Sequence, residues 1–203
     1  MINKMIFDLG FNNGCSVRKF ISLIPDFEDF EVFCFEPGSV ANSKEAADTV
    51  SSYDNITLFK QPVSITGEKI VFYEHTTYPA ASTTWANKAN DTRRRGDCGS
   101  DIKGEVKKIE LEAINFPQFF KDKMNEKALN SFVILKCDIE GEEYNILPEM
   151  IKLGLFRYIN VLHIEWHEEW KKIDAMNKEE IIEEARKQNP NIFIDDKWSA
   201  LGY

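Results

Sequence analysis

The chain has 203 residues, a formal net charge of −9 and 29% charged residues. That length supports one domain, residues 1–203, with a core of ordinary size and no need of disulfides. The acidic balance argues against a surface that tracks phosphate backbones, which needs clustered Lys and Arg, so nucleic acid is not expected as a partner. Cys15, Cys34, Cys98 and Cys137 are widely spaced, with no CxxC pair, and fit a reduced compartment better than a disulfide framework. No signal-peptide core precedes "FDLGFNNG" and no run of 18 apolar residues occurs, so a cytoplasmic protein without a membrane span is expected.

In chain order, apolar runs alternate with helical patterns in the manner of repeated βα units. "KMIFDL" predicts a first strand and "CSVRKFISLI" its helix. "FEVFCFE" predicts a second strand and "SVANSKEAADTVSSY" a second helix. "NITLFKQPVS" and "EKIVFYEH" follow, joined by a turn at "ITG". From Thr76 to about Gly104 the sequence loses period and is rich in Thr, Asn, Asp and Gly, a long loop insertion (76–104) that reads either as a surface excursion or as a substrate lid. Arg93, Arg94 and Arg95 within it could grip an anionic group or simply stay solvated.

Beyond the loop, "VKKIELEAI" alternates as a half-buried strand, whereas "SFVILKCDIE" is a continuous apolar run of the buried, parallel-sheet kind. "EEYNILPEMIKLG" predicts a helix carrying Pro148, and "FRYINVLHIEW" a second buried strand. Asn177 to Lys187 reads as a helix capped by Asn177, with Glu180 in capping-box position. "NIFIDDKW" predicts a last strand.

The turn from Asp8 to Gly14 follows the first strand, where a doubly wound sheet binds its ligand. Gly10 and Gly14 permit close backbone approach and positive φ, though any tight turn favours Gly and Asn. A dinucleotide is usually read by GxGxxG, and only two glycines stand here. An Asp8 carboxylate about 5 Å from a phosphate charge would cost about 3 kcal/mol at an effective dielectric of about 20. S-adenosyl-L-methionine has no phosphate and carries a cationic amine and sulfonium, so the same carboxylate would attract it. Glu36, at the end of the second strand, is placed to accept both ribose hydroxyls of a nucleoside.

Alternation along "FVILKCDIEGEEY" puts Lys136, Asp138 and, if the strand persists, Glu140 on one face. In "INVLHIEWH" the same rule groups His163, Glu165 and His167. Asp138, Glu165 and His167 then meet at the carboxyl edge, where acids at neighbouring strand tips point to chemistry. The trio also offers the mixed N and O donors of a divalent-metal site, which the spacing does not establish. Each part has a plainer reading: Lys136 as a structural ion-pair partner, the acids from Glu140 to Glu143 as helix-dipole partners, His163 as a satisfied core histidine.

"FDLGFNNG", "FCFEPGSV", "PVSITGEKIVFYEH", "IELEAI", "LKCDIEGEEYNIL" and "HIEWH" together resemble the FkbM family of S-adenosylmethionine-dependent methyltransferases, over nearly the whole chain. "LKCDIEGEEYNIL" is the most specific part and is similar to that family's KxDxEGxE signature. The resemblance implies an α/β class I methyltransferase fold, Rossmann-like and doubly wound, with a mostly parallel seven-stranded sheet and helices on both faces. It implies O-methylation of a small-molecule hydroxyl, most readily on a sugar or glycan. Carried over, Asp8, Gly10, Asn12, Asn13, Gly14, Glu36, Pro37, Ser64 and Asp138 would line the cofactor, and Lys136, Asp138, Glu140, Glu165 and His167 the reacting end. Phe11 and Asn13 depart from the family's usual small and aliphatic residues. Two other classes stay open on the residues alone: a noncatalytic nucleoside-binding module of the same fold, and a metal-dependent hydrolase using Asp138, Glu165 and His167.

Overall fold

A computed structural model describes residues 2–77, 82–86, 105–127, 130–168 and 175–198. In chain order the elements are β1 (Asn3–Leu9), α1 (Cys15–Leu23), β2 (Phe30–Phe35), α2 (Lys44–Ser51), β3 (Ile56–Phe59), β4 (Val63–Ser64) and β5 (Lys69–His75). There follow β6 (Val106–Glu112), β7 (Ile114–Asn115), α3 (Phe116–Lys127), β8 (Ser131–Cys137), α4 (Glu143–Lys152), β9 (Val161–Ile164), α5 (Lys178–Gln188) and β10 (Phe193–Asp195). The central sheet runs β10–β9–β8–β1–β2–β3, with every neighbouring pair parallel.

β1 lies between β2 and β8, so Asp8 stands level with Cys34 on one side and Lys136 on the other. Its residues alternate between two cores. Met5, Phe7 and Leu9 pack with Phe33, Phe35 and the Phe116–Phe120–Met124 stripe of α3, together with residues of α4 and α5. Ile6 packs on the opposite face with Val17 and Phe20 of α1, Ala46 of α2 and Trp198. Covering both faces is what makes β1 and β8 read as continuous apolar runs. Phe7 alone stacks on Phe33 at 5.3 Å and meets Phe120 at 4.9 Å between ring centroids; burying such a side chain contributes about 1.5–3 kcal/mol.

The expected seventh strand is not found in this sheet among the described residues. β5 and β6 instead form their own antiparallel pair, and β4 pairs only with β7. β6 carries the exposed residues Lys107, Lys108, Glu110 and Glu112, a pattern that cannot enter a sheet covered on both faces.

Other elements differ from expectation in extent. The second helix is split at Ser43, whose hydroxyl caps α2 by accepting the Ala46 N–H at 3.2 Å. α3 falls where the chain-order reading placed no element. Residues Leu155–Tyr158 form a 3₁₀ turn before β9 rather than part of the strand. The capping box of α5 is as expected: Asn177 accepts the Glu180 N–H at 2.9 Å and Glu180 accepts the Asn177 N–H at 2.8 Å. Cys15, Cys34 and Cys137 are free thiols, and Cys98 lies outside the described residues. Among the described residues no helix is long and apolar enough to cross a membrane.

Candidate functional site

Strand order reverses between β1 and β8, so their carboxyl ends and that of β2 frame the crevice in which sheets of this kind bind ligands. The turn after β1 is tied down on both sides. Gly10 and Phe11 donate N–H bonds to the Phe35 carbonyl, and the Asp138 N–H bonds the Leu9 carbonyl at 3.1 Å. Gly10 has φ +87°, and a Cβ there would lie 1.9 Å from the Asp138 carbonyl oxygen. The chain itself demands this glycine. At Gly14, φ is +92° and a Cβ would meet Thr49 Oγ1 at 2.8 Å, so packing accounts for it as well. Asn12, at φ 53°, takes the left-handed geometry that Asn tolerates.

The sequence argument has the Asp8 carboxylate face a cationic ligand, whereas the structure buries it completely. Oδ2 accepts the Ser16 hydroxyl at 2.5 Å and Oδ1 lies 3.3 Å from Lys136 Nζ. Lys136 is also fully buried. Its ammonium donates to the carbonyls of Gly10 at 2.6 Å and Leu9 at 3.1 Å, and it lies 3.4 Å from Asp138 Oδ2. Burial pulls its pKa down, but Asp138 and Asp8 outweigh that and hold it above the ordinary lysine value. Lys136 therefore stays charged and clamps the turn to β8. The Asp8 charge is already balanced, which removes most of the repulsion that would disfavour a phosphate there.

Glu36 is 9% exposed at the end of β2. Its Oε2 accepts the Asn12 N–H at 2.8 Å, joining β2 to the β1 turn, while Oε1 has no hydrogen bond among the described residues. Burial pushes its carboxyl up to about 8; the Asn12 N–H and Lys136 oppose that shift, and Asp8 and Asp138 add to it. Pro37 follows, partly exposed. The next turn is held by Glu74 of β5, whose Oε1 accepts the Ser39 N–H at 2.5 Å. Sequence reasoning missed Glu74, since nothing local marks a strand acid as a partner for a distant turn.

β8 ends at Cys137, and the chain turns through Glu140 at φ 57° and Gly141 at φ 112° into α4. A left-handed Glu is uncommon, and such conformations cluster at functional sites. Glu143, fully buried, organises the turn: Oε2 accepts the Gly141 N–H at 2.9 Å, and Oε1 accepts the His167 N–H at 2.9 Å and lies 3.0 Å from His167 Nδ1. A carboxylate can only accept, so Nδ1 carries the proton and Nε2 is left as the basic nitrogen. Nε2 lies 3.6 Å from Glu140 Oε2. Glu143 is the second residue that the sequence reading missed as a site member.

One carboxylate oxygen each of Asp138 and Glu140 and one His167 nitrogen lie within 4.8 Å of one another. The expected trio contained Glu165 in place of Glu140. Both strands stop before the residues in question, β8 at Cys137 and β9 at Ile164, so strand alternation no longer decides which way they face. Glu165 is held by its backbone, donating to the Cys137 carbonyl at 3.0 Å. His163 takes the structural role, with Nδ1 3.1 Å from Asp195 and its ring 4.2 Å from Trp198; burial lowers its pKa.

Asn13 serves α1, its carbonyl accepting Arg18 Nη1 at 2.9 Å. Ser64 closes the "ITG" turn, its hydroxyl accepting the Gly67 N–H at 3.0 Å and the Thr66 N–H at 3.3 Å. Of the long insertion, residues 76–77 and 82–86 are described, and the latter rest on the same turn as the site. Thr83 Oγ1 donates to the Glu140 carbonyl at 2.8 Å, and Thr84 Oγ1 and Trp85 Nε1 donate to Glu142 Oε2 at 3.0 and 3.2 Å. Burial raises the Glu142 pKa against the pull of these bonds. Arg93, Arg94 and Arg95 lie outside the described residues.

Comparison with protein families matches the Methyltransferase FkbM domain to residues 17–189. No curated protein and no solved structure matches the chain. The matched span contains Glu36, Pro37, Ser64 and every strand-tip residue from Lys136 to His167, and begins just after the Asp8–Gly14 turn. With the parallel sheet and its switch-point crevice, this match shows that the chain belongs to the FkbM family of methyltransferases.

Proposed function

We propose that the protein transfers a methyl group from S-adenosyl-L-methionine to a hydroxyl of a small molecule, with a sugar or glycan as the acceptor class. The observation that carries this reading is Glu36: an acid at the tip of β2 beside the switch point, with one oxygen spent on the Asn12 N–H and the other without a hydrogen bond among the described residues. An oxygen so placed suits a ribose hydroxyl. The sugar acceptor follows from family analogy alone.

In the reaction the acceptor oxygen attacks the S-methyl carbon in line. The new O–C bond forms as the C–S bond breaks, the sulfonium takes the bonding pair to leave neutral S-adenosylhomocysteine, and the alcohol proton departs. Orientation supplies much of the acceleration, with effective molarities on the order of 10⁵ M or more in aligned systems. A positioned base adds about 10²–10⁴-fold. His167 Nε2 is our choice of base, supported by Glu143, which fixes its tautomer; Asp138 is the alternative acceptor. Lys136 holds Asp138 and the β1 turn and keeps its proton.

The test is transfer of labelled methyl from S-adenosyl-L-methionine to a panel of sugars and other alcohols. Wild type is expected to methylate at least one hydroxyl acceptor, and Asp138→Asn to lose turnover while still binding S-adenosylhomocysteine. Cofactor binding with no transfer to any acceptor would favour the noncatalytic module.

A further inference from the structure

We propose that Asp138, Glu140 and His167 form a site for one divalent transition cation, with Mn²⁺ as its representative. Two ligands at about 2.1 Å from one ion lie no more than about 4.2 Å apart. The three donor atoms lie within 4.8 Å of one another, so the trio is near that limit and closes inward to share an ion. His167 Nε2 and Glu140 Oε2 are already 3.6 Å apart.

The arrangement is more than a cluster of acids. A metal-binding histidine characteristically donates its other ring N–H to a carboxylate, which fixes its tautomer and raises its basicity. Fully buried Glu143 does this to His167 Nδ1 at 3.0 Å and holds the backbone N–H of the same residue as well. Glu140 is meanwhile kept in the left-handed region at φ 57°, its carbonyl held by Thr83. The imidazole favours a transition ion over Mg²⁺, and the two carboxylates favour a hard one.

Charge argues the same way. The carboxylates of Asp8, Asp138, Glu140 and Glu143 gather at this turn, where Lys136 pairs with Asp8 and Asp138 and His167 lies beside Glu140 and Glu143. Lys136 lies 3.4 Å from Asp138 Oδ2 and weakens that ligand, but its protons are engaged by the Leu9 and Gly10 carbonyls. Three protein ligands leave open positions for water or for an acceptor oxygen. The consequence for catalysis rests on the methyltransferase reading: an ion there lowers the acceptor hydroxyl pKa and replaces His167 as the cause of deprotonation. Binding of the ion does not depend on that reading.

The experiment titrates Mn²⁺ into the chelator-stripped full chain and follows loss of the free-ion paramagnetic resonance signal. One bound ion per chain is expected. Glu140→Gln and His167→Ala should each weaken it at least about tenfold, Glu143→Gln about 10–100-fold, and Glu165→Gln should leave it unchanged. Should the first two variants fail to fold, Mn²⁺ broadening of the His167 ring resonances in the wild-type protein replaces them. No binding at millimolar Mn²⁺, affinity equal to wild type in both Glu140→Gln and His167→Ala, or unbroadened His167 resonances overturns the site. A parallel titration with S-adenosylhomocysteine separates the two claims: its failure beside intact Mn²⁺ binding strikes the methyltransferase reading, and the reverse strikes the cation site.

Discussion

Glu143, fully buried at the start of α4, holds His167 twice: one oxygen accepts the backbone N–H at 2.9 Å and lies 3.0 Å from Nδ1. The acid sits on the turn after β8 and the histidine beyond the end of β9, so a single side chain couples neighbouring strand tips and decides which imidazole nitrogen faces Asp138 and Glu140.

Glu143→Gln tests that coupling. The amide can present its N–H to Nδ1 and reverse the tautomer, so kcat should fall about 10²-fold or more while affinity for S-adenosylhomocysteine is kept. Steady-state kinetics beside calorimetry would show the split, and the pH–rate profile should change its acidic limb, where a general base is protonated. Equal losses in kcat and cofactor affinity would mean that Glu143 merely supports the fold.

Lys136→Met should destabilise the protein by about 3–5 kcal/mol, since it leaves the fully buried Asp8 carboxylate without its cation. Adding Asp8→Asn to that variant should restore part of the loss. Denaturant unfolding of the single and double variants measures both, and a double variant worse than the single would contradict a buried pair.

Glu36 gives a pH signature. Its folded carboxyl keeps a proton up to about 8, whereas the unfolded one releases it near the ordinary 4.5. Between those values the folded state binds the extra proton, so this group's contribution favours folding at low pH. It declines as pH rises through the window, by up to about 1.4 kcal/mol per unit, and levels off above about 8. Glu36→Gln should flatten that slope in unfolding free energy measured from pH 5 to 9. Because a ribose hydroxyl bonds an ionised carboxylate more strongly than a neutral one, S-adenosylhomocysteine binding should also favour release of a proton below pH 8, detectable by calorimetry in buffers of different ionisation enthalpy.

Two glycines with positive φ should respond very differently to alanine. At Gly154 the nearest atom to a new Cβ is Arg157 Nη1 at 3.9 Å, so only the left-handed backbone is strained and Gly154→Ala should cost about 1–2 kcal/mol. At Gly10 the Cβ would strike the Asp138 carbonyl, which is backbone and cannot yield without moving the site. Gly10→Ala should be much the less stable in thermal melting. Similar melting temperatures would show that the β1 turn is looser than described.

Local signals in the sequence were legible. The capping box of Asn177 and Glu180 depends on residues three apart, and the continuous apolar runs of β1 and β8 follow from sheets covered on both faces. α3 carried a readable stripe in Phe116, Phe120 and Met124, spaced by four, which "IELEAI" and its strand alternation overshadowed. The site was legible as a set of strand tips and not as a set of contacts. Extending the two-residue period past Cys137 and Ile164 selected Glu165, where the left-handed turn at Glu140 brings a different acid to His167. Glu74 was hidden because it acts on an element far away in the chain, and Glu143, the last acid of the KxDxEGxE match, was read as a helix-dipole partner because its hold on His167 crosses to another strand. Asp8 was misjudged for the same reason: its partner Lys136 comes from a strand that sequence spacing does not pair with β1.

The central claim is that the crevice between β1, β2 and β8 takes a nucleoside sulfonium cofactor. Calorimetric titration of the wild-type chain and Glu36→Ala with S-adenosylhomocysteine and with NAD tests it most directly. The account predicts saturable one-to-one binding of S-adenosylhomocysteine that Glu36→Ala weakens strongly, and that is tighter than any binding of NAD. Binding of NAD in its place, or S-adenosylhomocysteine binding indifferent to residue 36, would contradict it.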